Sequence, residues 1–235
     1  MSHYPSWFAG WVRSPFGGFA YVRGSILARV NVYVDGLNLY YGVARNTRYR
    51  WLDLRKLSEG LIRPGNEIHR IRYFTARVTD HEANVRQAAY LRALATIPNL
   101  TIHEGHFRTY PTSMPRTDGR GMAEVYRTEE KGSDVNLASH LLFDACAQDF
   151  ETALVISNDT DLVFPVQEVR HRLGVTVGIA CPVYHRDRVP SRELVDAADF
   201  RAHITRRHRR LLRQSQFADP VIDAAGREIR KPAAW

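Results

Sequence analysis

The chain has 235 residues, of which 44% are hydrophobic and 25% are charged, and its formal net charge is +8. These values are typical of one globular domain and exclude a chain that is disordered in bulk. The positive excess comes almost entirely from arginine, which favours an anionic partner, although a basic balance can also serve only solubility.

Compartment and membrane signals are few. Cys146 and Cys181 have no paired spacing for zinc or for a disulfide framework, which predicts a reducing, cytoplasmic location. No apolar run is long enough to cross a bilayer. Residues 1–29 are rich in aromatic residues and glycine, but Arg13 and Arg23 interrupt them, so they predict a poorly ordered N-terminal extension.

The first predicted strand covers residues 29–34, where valines alternate, and it ends at Asp35. Gly36 permits a sharp turn, and residues 37–44 then show helical spacing. Asn38 lies in the first turn of this helix. Its amide can support a water or phosphate near the carboxylate, or it can simply cap the helix.

Strands and helices alternate through the next part of the chain. We predict a helix at 52–61, a strand at 68–76, a helix at 79–96 and a strand at 99–107. This alternation favours a parallel sheet covered by helices.

Residues 110–121 are rich in proline, glycine, serine and threonine, and they predict an exposed loop with Arg116 and Arg120. The loop is either a solvated connection or a substrate contact. A short returning strand is expected at 122–128.

A helix is predicted at 135–147, with Ser133 as its N-cap and Asp134 in its first turn. Its sheet-facing residues would be Val135, Ala138, Leu142 and Ala145.

The following strand ends in the sequence Ser157-Asn-Asp159-Thr-Asp161. A helix with Leu162, Val166 and Val169 on its inner face comes directly after it, and Gly174 has the position of a C-terminal cap. The chain then predicts a strand at 175–180, a helix at 191–198 and a strand at 202–204.

Residues 205–235 form a predicted basic C-terminal tail. Five arginines lie between positions 206 and 213, interleaved with Leu211 and Leu212. This segment is either a basic helix along a phosphate backbone or a solvated terminus.

Carboxylates thus follow several strand ends or helix starts, namely Asp35, Asp134, Asp159 and Asp161. Groups at the carboxyl ends of parallel strands converge on one crevice, so these side chains can meet if their strands are neighbours. So many carboxylates in one place require protons or a cation, and oxygen ligands suit Mg²⁺ or Mn²⁺.

Three blocks of the sequence carry a family resemblance. They are Val-Tyr-Val-Asp-Gly-Leu-Asn-Leu-Tyr at 32–40, Glu-Lys-Gly-Ser-Asp-Val-Asn-Leu-Ala at 130–138 and Ser-Asn-Asp-Thr-Asp-Leu-Val-Phe-Pro-Val at 157–166. In this order they resemble the signature blocks of NYN domains of the LabA-like branch, within the PIN-like nuclease superfamily. Ala-Ala-Asp-Phe at 197–200 is similar to the closing block, so the resemblance covers about residues 30–204.

The resemblance implies a three-layer αβα domain with a mainly parallel central sheet. It also implies a metal-dependent ribonuclease site with Asp35, Asp134, Asp159 and Asp161, supported by Asn38 and Ser157. His140 departs from the family, because many relatives carry another Asp there. That exchange could weaken a second metal site.

These residues predict hydrolysis of RNA phosphodiester bonds with Mg²⁺ or Mn²⁺ as cofactor. Lys131 is a candidate for steadying the phosphate, or is an ordinary exposed lysine. Tyr40 and Tyr41 either stack on a base or pack in the core. RNA is the expected partner, no membrane is expected, and a homo-oligomer is possible.

The alternative function is an RNA-binding or regulatory module that keeps the fold but cleaves poorly. A doubly wound phosphatase is disfavoured because Leu37 occupies the position where its second Asp would be needed. His103 and His106 have the residue types for a metal, but on a strand they would face opposite sides.

Overall fold

The computed structural model describes residues 28–235 in full, and of the preceding segment only the backbone at 10–13 and 19–22. Strands β1 (Gly10–Arg13) and β2 (Phe19–Val22) pair with each other in antiparallel fashion. The rest of the predicted N-terminal extension lies outside the described residues.

A seven-stranded sheet forms the centre of the domain. Its strands are β3 (Arg29–Asp35), β4 (Glu67–Ala76), β5 (Leu100–Pro115), β6 (Met122–Lys131), β7 (Thr152–Ile156), β8 (Thr176–Pro182) and β9 (Phe200–Ile204), in the spatial order β6-β5-β4-β3-β7-β8-β9. All neighbours are parallel except β5 and β6. The predicted, mainly parallel sheet is therefore confirmed.

Helices cover both faces of the sheet. They are α1 (Gly36–Leu39), continued by a π-helical turn (Tyr40–Ala44), then α2 (Leu54–Glu59), α3 (His81–Leu94), α4 (Ser133–Cys146), a 3₁₀ turn (Thr160–Leu162), α5 (Val163–His171), α6 (Arg192–Asp196), a second 3₁₀ turn (Arg206–His208) and α7 (Arg209–Gln214).

Two apolar clusters lie on opposite faces of the sheet. Val32 and its alternate neighbours on β3 pack with residues of α1, α2, α3 and α7, whereas Tyr33 packs with residues of α4, α5 and α6. This alternation along β3 follows from the two-residue period of a strand buried on both sides. The result is the predicted three-layer αβα architecture.

The prediction of an exposed loop at 110–121 was wrong for half of this segment. Strand β5 continues through Pro115 and pairs with β6 from His106 opposite Lys131 to Pro115 opposite Met122. Only residues 116–121 form the turn. Antiparallel pairing satisfies the backbone polar groups of this exposed arm, so it needs no apolar alternation to form a strand.

The predicted inner face of α4 was also wrong in part. Leu137, Leu141 and Ala145 are the buried apolar residues of this helix, whereas Val135 is 69% exposed. Ser133 is the first helical residue rather than the N-cap, which is Gly132 at a φ of 103°. Both faces have helical spacing, and the face with two leucines buries more apolar area.

Residues 205–235 pack against the helical layer that contains α2 and α3. Leu212 of α7 is fully buried, and Phe217 and Trp235 both contact Trp51. Two short strands, β10 (Val221–Ile222) and β11 (Glu228–Ile229), pair in this segment. In the described part of the chain, no helix has both the length and the apolar character needed to cross a membrane.

Candidate metal centre

The topology brings the ends of β3 and β7 together. After β3 the chain first builds β4 to one side, and it later returns to build β7 on the other side. The carboxyl ends of two such strands form the crevice at which parallel α/β sheets bind ligands. Asp35 ends β3, and Ser157 and Asp159 follow β7 directly.

Three aspartates converge in this crevice. Asp35, Asp134 and Asp159 each offer one carboxylate oxygen, and these oxygens lie within 4.8 Å of one another. Asp134 reaches the group from the first turn of α4. Among the residues that the structure describes, Asp161 is not part of this group; it is exposed, and its charge contributes to the raised pKa of Asp134.

The position of Asp35 is fixed by several hydrogen bonds. Its carboxylate accepts from the backbone N–H of Asn38 at 2.9 Å, from the Asn38 amide Nδ2 at 2.7 Å and from Ser157 Oγ at 2.8 Å. The side chain is also only 3% exposed. Asn38 therefore holds the carboxylate directly, while Asp35 rather than Asn38 acts as the N-cap of α1.

Asp159 is held by the turn that follows β7. Its own backbone N–H donates to Ser157 Oγ at 3.1 Å, and its Oδ1 accepts from the backbone N–H of Asp161 at 3.1 Å. Ser157 is completely buried and thus links Asp35 to Asp159. Asp161 shapes this turn with its backbone.

The electrostatics of the group favour a bound cation. Burial, together with the nearby carboxylates of Asp35 and Asp159, raises the pKa of Asp134 to about 7. Burial also raises the pKa of Asp35, against the opposing effect of its hydrogen bonds from Asn38 and Ser157. The group must carry protons or a cation near neutral pH, and its oxygen-only donors fit Mg²⁺ or Mn²⁺.

Strand β6 supplies a carboxylate that sequence reasoning missed. Glu130 Oε1 accepts from the backbone N–H of Ser133 at 3.0 Å, and the charge of Glu130 contributes to the raised pKa of Asp134. Lys131 instead pairs with Glu129, with 2.8 Å between Nζ and Oε2. Successive side chains of a strand point to opposite faces, so Glu130 lies on the opposite face from Glu129 and Lys131. Assigning residues 129–131 to a strand would therefore have distinguished Glu130 from its two neighbours.

His140 lies in a polar network on the sheet face under α4. Its ring centroid is 4.2 Å from that of His103, beside the Arg72 guanidinium, whose Nε and Nη2 donate to Asp144 at 2.7 and 2.8 Å. Burial, His140 and Arg72 together lower the pKa of His103 to about 4. Within the described residues, neither histidine joins the group of three aspartates.

A mainly parallel αβα sheet with an aspartate cluster at its switch point defines the chain as a PIN-like protein with a candidate divalent-cation site. Residues 29–206 match the NYN domain family, and the chain belongs to that family. The predicted membership of the NYN family is thereby confirmed, and it places the chain in the PIN-like nuclease superfamily.

The chain is similar to two individual proteins, one in sequence and one in fold. The chain is 27% identical over 238 residues to the 6-hydroxy-3-succinoylpyridine 3-monooxygenase HspA of Pseudomonas putida, covering 88% of this chain and 75% of the relative. A crystal structure of a protein of unknown function from Vibrio parahaemolyticus aligns with a TM-score of 0.51 at 19% identity, over 78% of this chain and 96% of that one. The similarity to the Vibrio parahaemolyticus protein shows a shared fold and nothing more.

Proposed function

We propose that this protein is a ribonuclease that hydrolyses RNA phosphodiester bonds with Mg²⁺ or Mn²⁺ as cofactor. The observation that carries the proposal is the group of oxygens from Asp35, Asp134 and Asp159, which lie within 4.8 Å of one another in the switch-point crevice. Three carboxylates from three separate chain segments converge there on one small volume.

In this proposal Asp35, Asp134 and Asp159 hold the cation. When bound, the cation would neutralise charge on the phosphate and lower the pKa of the attacking water. Asn38 and Ser157 keep the Asp35 carboxylate in position through their hydrogen bonds. Asp161 is exposed beside this group, and Lys131 would reach a phosphate only after leaving Glu129.

A second observation supports RNA as the partner. Arg48, Arg206 and Arg209 line a concave surface of about 410 Å³ together with Tyr184 and His185. None of these arginines forms an ion pair with a residue in the described part of the chain. Guanidinium groups without a carboxylate partner are suited to phosphates, which provide affinity independent of sequence.

The proposal is tested by incubating the purified chain with single-stranded and structured RNA in Mg²⁺, in Mn²⁺ and in EDTA. We expect cleavage only with metal, and a loss of at least about a hundredfold in Asp159→Asn, because one ligand of the cation is removed. Asp196→Asn, on the exposed helix α6, is the matched control and should keep full activity. Cleavage that persists in EDTA, or an active Asp159→Asn, would contradict the proposal.

The same experiment addresses the alternative of a catalytically weak RNA-binding module. Measurable RNA affinity with no metal-dependent cleavage of any RNA would favour that alternative.

A second candidate function rests on the similarity to a monooxygenase over 88% of this chain. By this analogy the protein would hydroxylate a small aromatic acid with O₂ and a two-electron donor. Oxygen uptake with 6-hydroxy-3-succinoylpyridine and a reduced nicotinamide or flavin donor would support it. Metal-dependent RNA cleavage without oxygen uptake would leave the ribonuclease as the better account.

A further inference from the structure

A second cavity opens beside the aspartate group, on the β4 side of the sheet. It has a volume of about 640 Å³ and lies between α1 with its π-helical turn, the end of β4, the start of α3 and the C-terminal residues of the chain. Cavities of this size hold small ligands or parts of larger ones. None of the aspartate ligands lines it.

Aromatic rings form much of the wall of this cavity, which we call the aromatic cavity. They belong to Tyr40, Tyr41, Tyr73, Tyr90, Phe107 and Trp235. Tyr40 and Tyr41 are 40% and 42% exposed, so they are not the core residues that helix spacing also allowed. Their rings meet edge to face, with 5.2 Å between centroids, and their exposed fractions leave ring surface accessible to a ligand.

The charge of the wall is positive. Arg45, Arg50 and Arg86 line the cavity, and Asp80 is the acidic residue among its lining residues. The Asp80 carboxylate already accepts from the backbone N–H of Ala83 at 2.8 Å, as the N-cap of α3. The cavity therefore has an excess of guanidinium groups.

Two of these arginines can bind a further hydrogen-bond acceptor. Arg45 lies over the Tyr41 ring, at 5.3 Å from its centroid, and forms no ion pair with a described residue. Arg50 donates to the Ala234 carbonyl oxygen at 3.2 Å, while its buried Nε has no hydrogen-bond partner in the described structure. A buried donor without a partner is costly, and an anion in the cavity would satisfy it.

The wall of the aromatic cavity includes the two residues that follow Asp35 in the chain. Gly36 and Leu37 line it and directly follow Asp35. A Cβ on Gly36 would lie 2.6 Å from the Phe74 carbonyl oxygen and from the Tyr73 ring, so the glycine permits this close packing at the cavity wall. A ligand in the cavity would thus lie next to the aspartate group.

We propose that the aromatic cavity binds a planar heteroaromatic ring that carries an anionic group. The tyrosine and tryptophan rings stack on the ring, and Arg45 and Arg50 bind the anion. If the proposed ribonuclease function holds, on which this assignment rests, the ring is a base of the RNA and the anion its phosphate. A free aromatic acid has the same chemistry.

The test is calorimetric titration of the chain with AMP, UMP and nicotinate in EDTA, so that binding does not depend on the metal. We expect at least one probe to bind at submillimolar concentration. Arg50→Gln and Tyr41→Leu should each weaken this binding about tenfold, because each removes one charged or stacking contact. Tyr41→Leu is the second variant in case loss of the Ala234 hydrogen bond disturbs folding in Arg50→Gln.

Arg92→Gln, on the exposed surface of the same helix α3, is the control and should bind like the parent chain. Asp159→Asn should also keep probe binding, which separates this inference from the ribonuclease proposal. Binding of AMP or UMP supports RNA as the source, and binding of nicotinate alone supports a free acid. No binding of any probe at millimolar concentration, or equal loss in Arg92→Gln, would overturn the proposal.

Discussion

At the scale of single residues, Asp134 lies in an environment that opposes its ionisation. It is partly buried at the start of α4, and the charges of Asp35, Asp159, Glu130 and Asp161 all raise its pKa. The helix N-terminus favours its negative charge, but burial and these four like charges outweigh that effect. A bound cation would offset these like charges.

We predict that ionisation of Asp134 destabilises the metal-free protein. Its pKa is about 7 in the folded chain and 3.8 is its ordinary value, so the penalty is absent below pH 3.8, grows as pH rises and is complete above about pH 7. In EDTA, the melting temperature of the parent chain should fall relative to Asp134→Asn across this range. Mg²⁺ should abolish the difference by raising the melting temperature of the parent chain.

The measurement is thermal unfolding of both chains between pH 4 and 8. Asp196→Asn, whose side chain is 64% exposed, is the control and should follow the parent chain. A melting temperature of the parent chain that rises relative to Asp134→Asn over the same interval would contradict the prediction.

At the scale of elements, the π-helical turn after α1 connects the two sides of the crevice. Its Gly42 packs against Pro182 at the end of β8, and the Gly42 carbonyl oxygen accepts from the Tyr184 backbone N–H at 3.0 Å. A Cβ on Gly42 would overlap the Pro182 carbonyl group. The same turn carries Tyr40 and Tyr41, so its packing sets the position of the aromatic cavity.

We predict that Gly42→Ala destabilises the fold by about 1–3 kcal/mol, because the overlap is with backbone and must be relieved by moving the turn or β8. Gly60→Ala at the end of α2 is the matched control. Its new Cβ would meet the flexible end of the Leu211 side chain, which can move at low cost. Urea unfolding of both variants measures the two free energies, and equal losses would show that the backbone contact is not decisive.

At the scale of the whole molecule, arginines that form no ion pair with a described residue line both concave surfaces. Arg206 and Arg209 follow β9, Arg48 lies on the loop after the π-helical turn, and Arg45 and Arg50 line the aromatic cavity. Arg48 and Arg206 belong to the smaller of these surfaces, and we expect both to contact phosphates of a bound RNA strand.

We predict that RNA affinity depends steeply on salt and that Arg48→Gln and Arg206→Gln each reduce the slope of log K against log salt by about 0.7, the value for one phosphate contact on a single strand. Arg192→Gln, with a side chain that is 93% exposed on α6, should leave the slope unchanged. The slopes come from RNA titrations at several salt concentrations. An identical reduction in all three variants would indicate a general charge effect instead of a defined surface.

The sequence by itself determined most strands and helices and the carboxylates at their ends. Strands β3 and β7 were evident because their apolar patterns are local, and the polar residues at their ends were evident because Asp35 and Asp159 follow those patterns directly. The family resemblance came from three short blocks for the same reason. Periods and motifs are properties of neighbouring residues, so they can be read without the fold.

Only the tertiary structure decided which groups meet. Strand order brought Asp35, Asp134 and Asp159 together and left Asp161 at the edge, and pairing of β6 with β5 turned Glu130 toward α4. The inner face of α4 likewise depended on the layer against which it packs, because two faces had helical spacing. These outcomes depend on contacts between residues that are distant in sequence, and no local pattern of residues records such contacts.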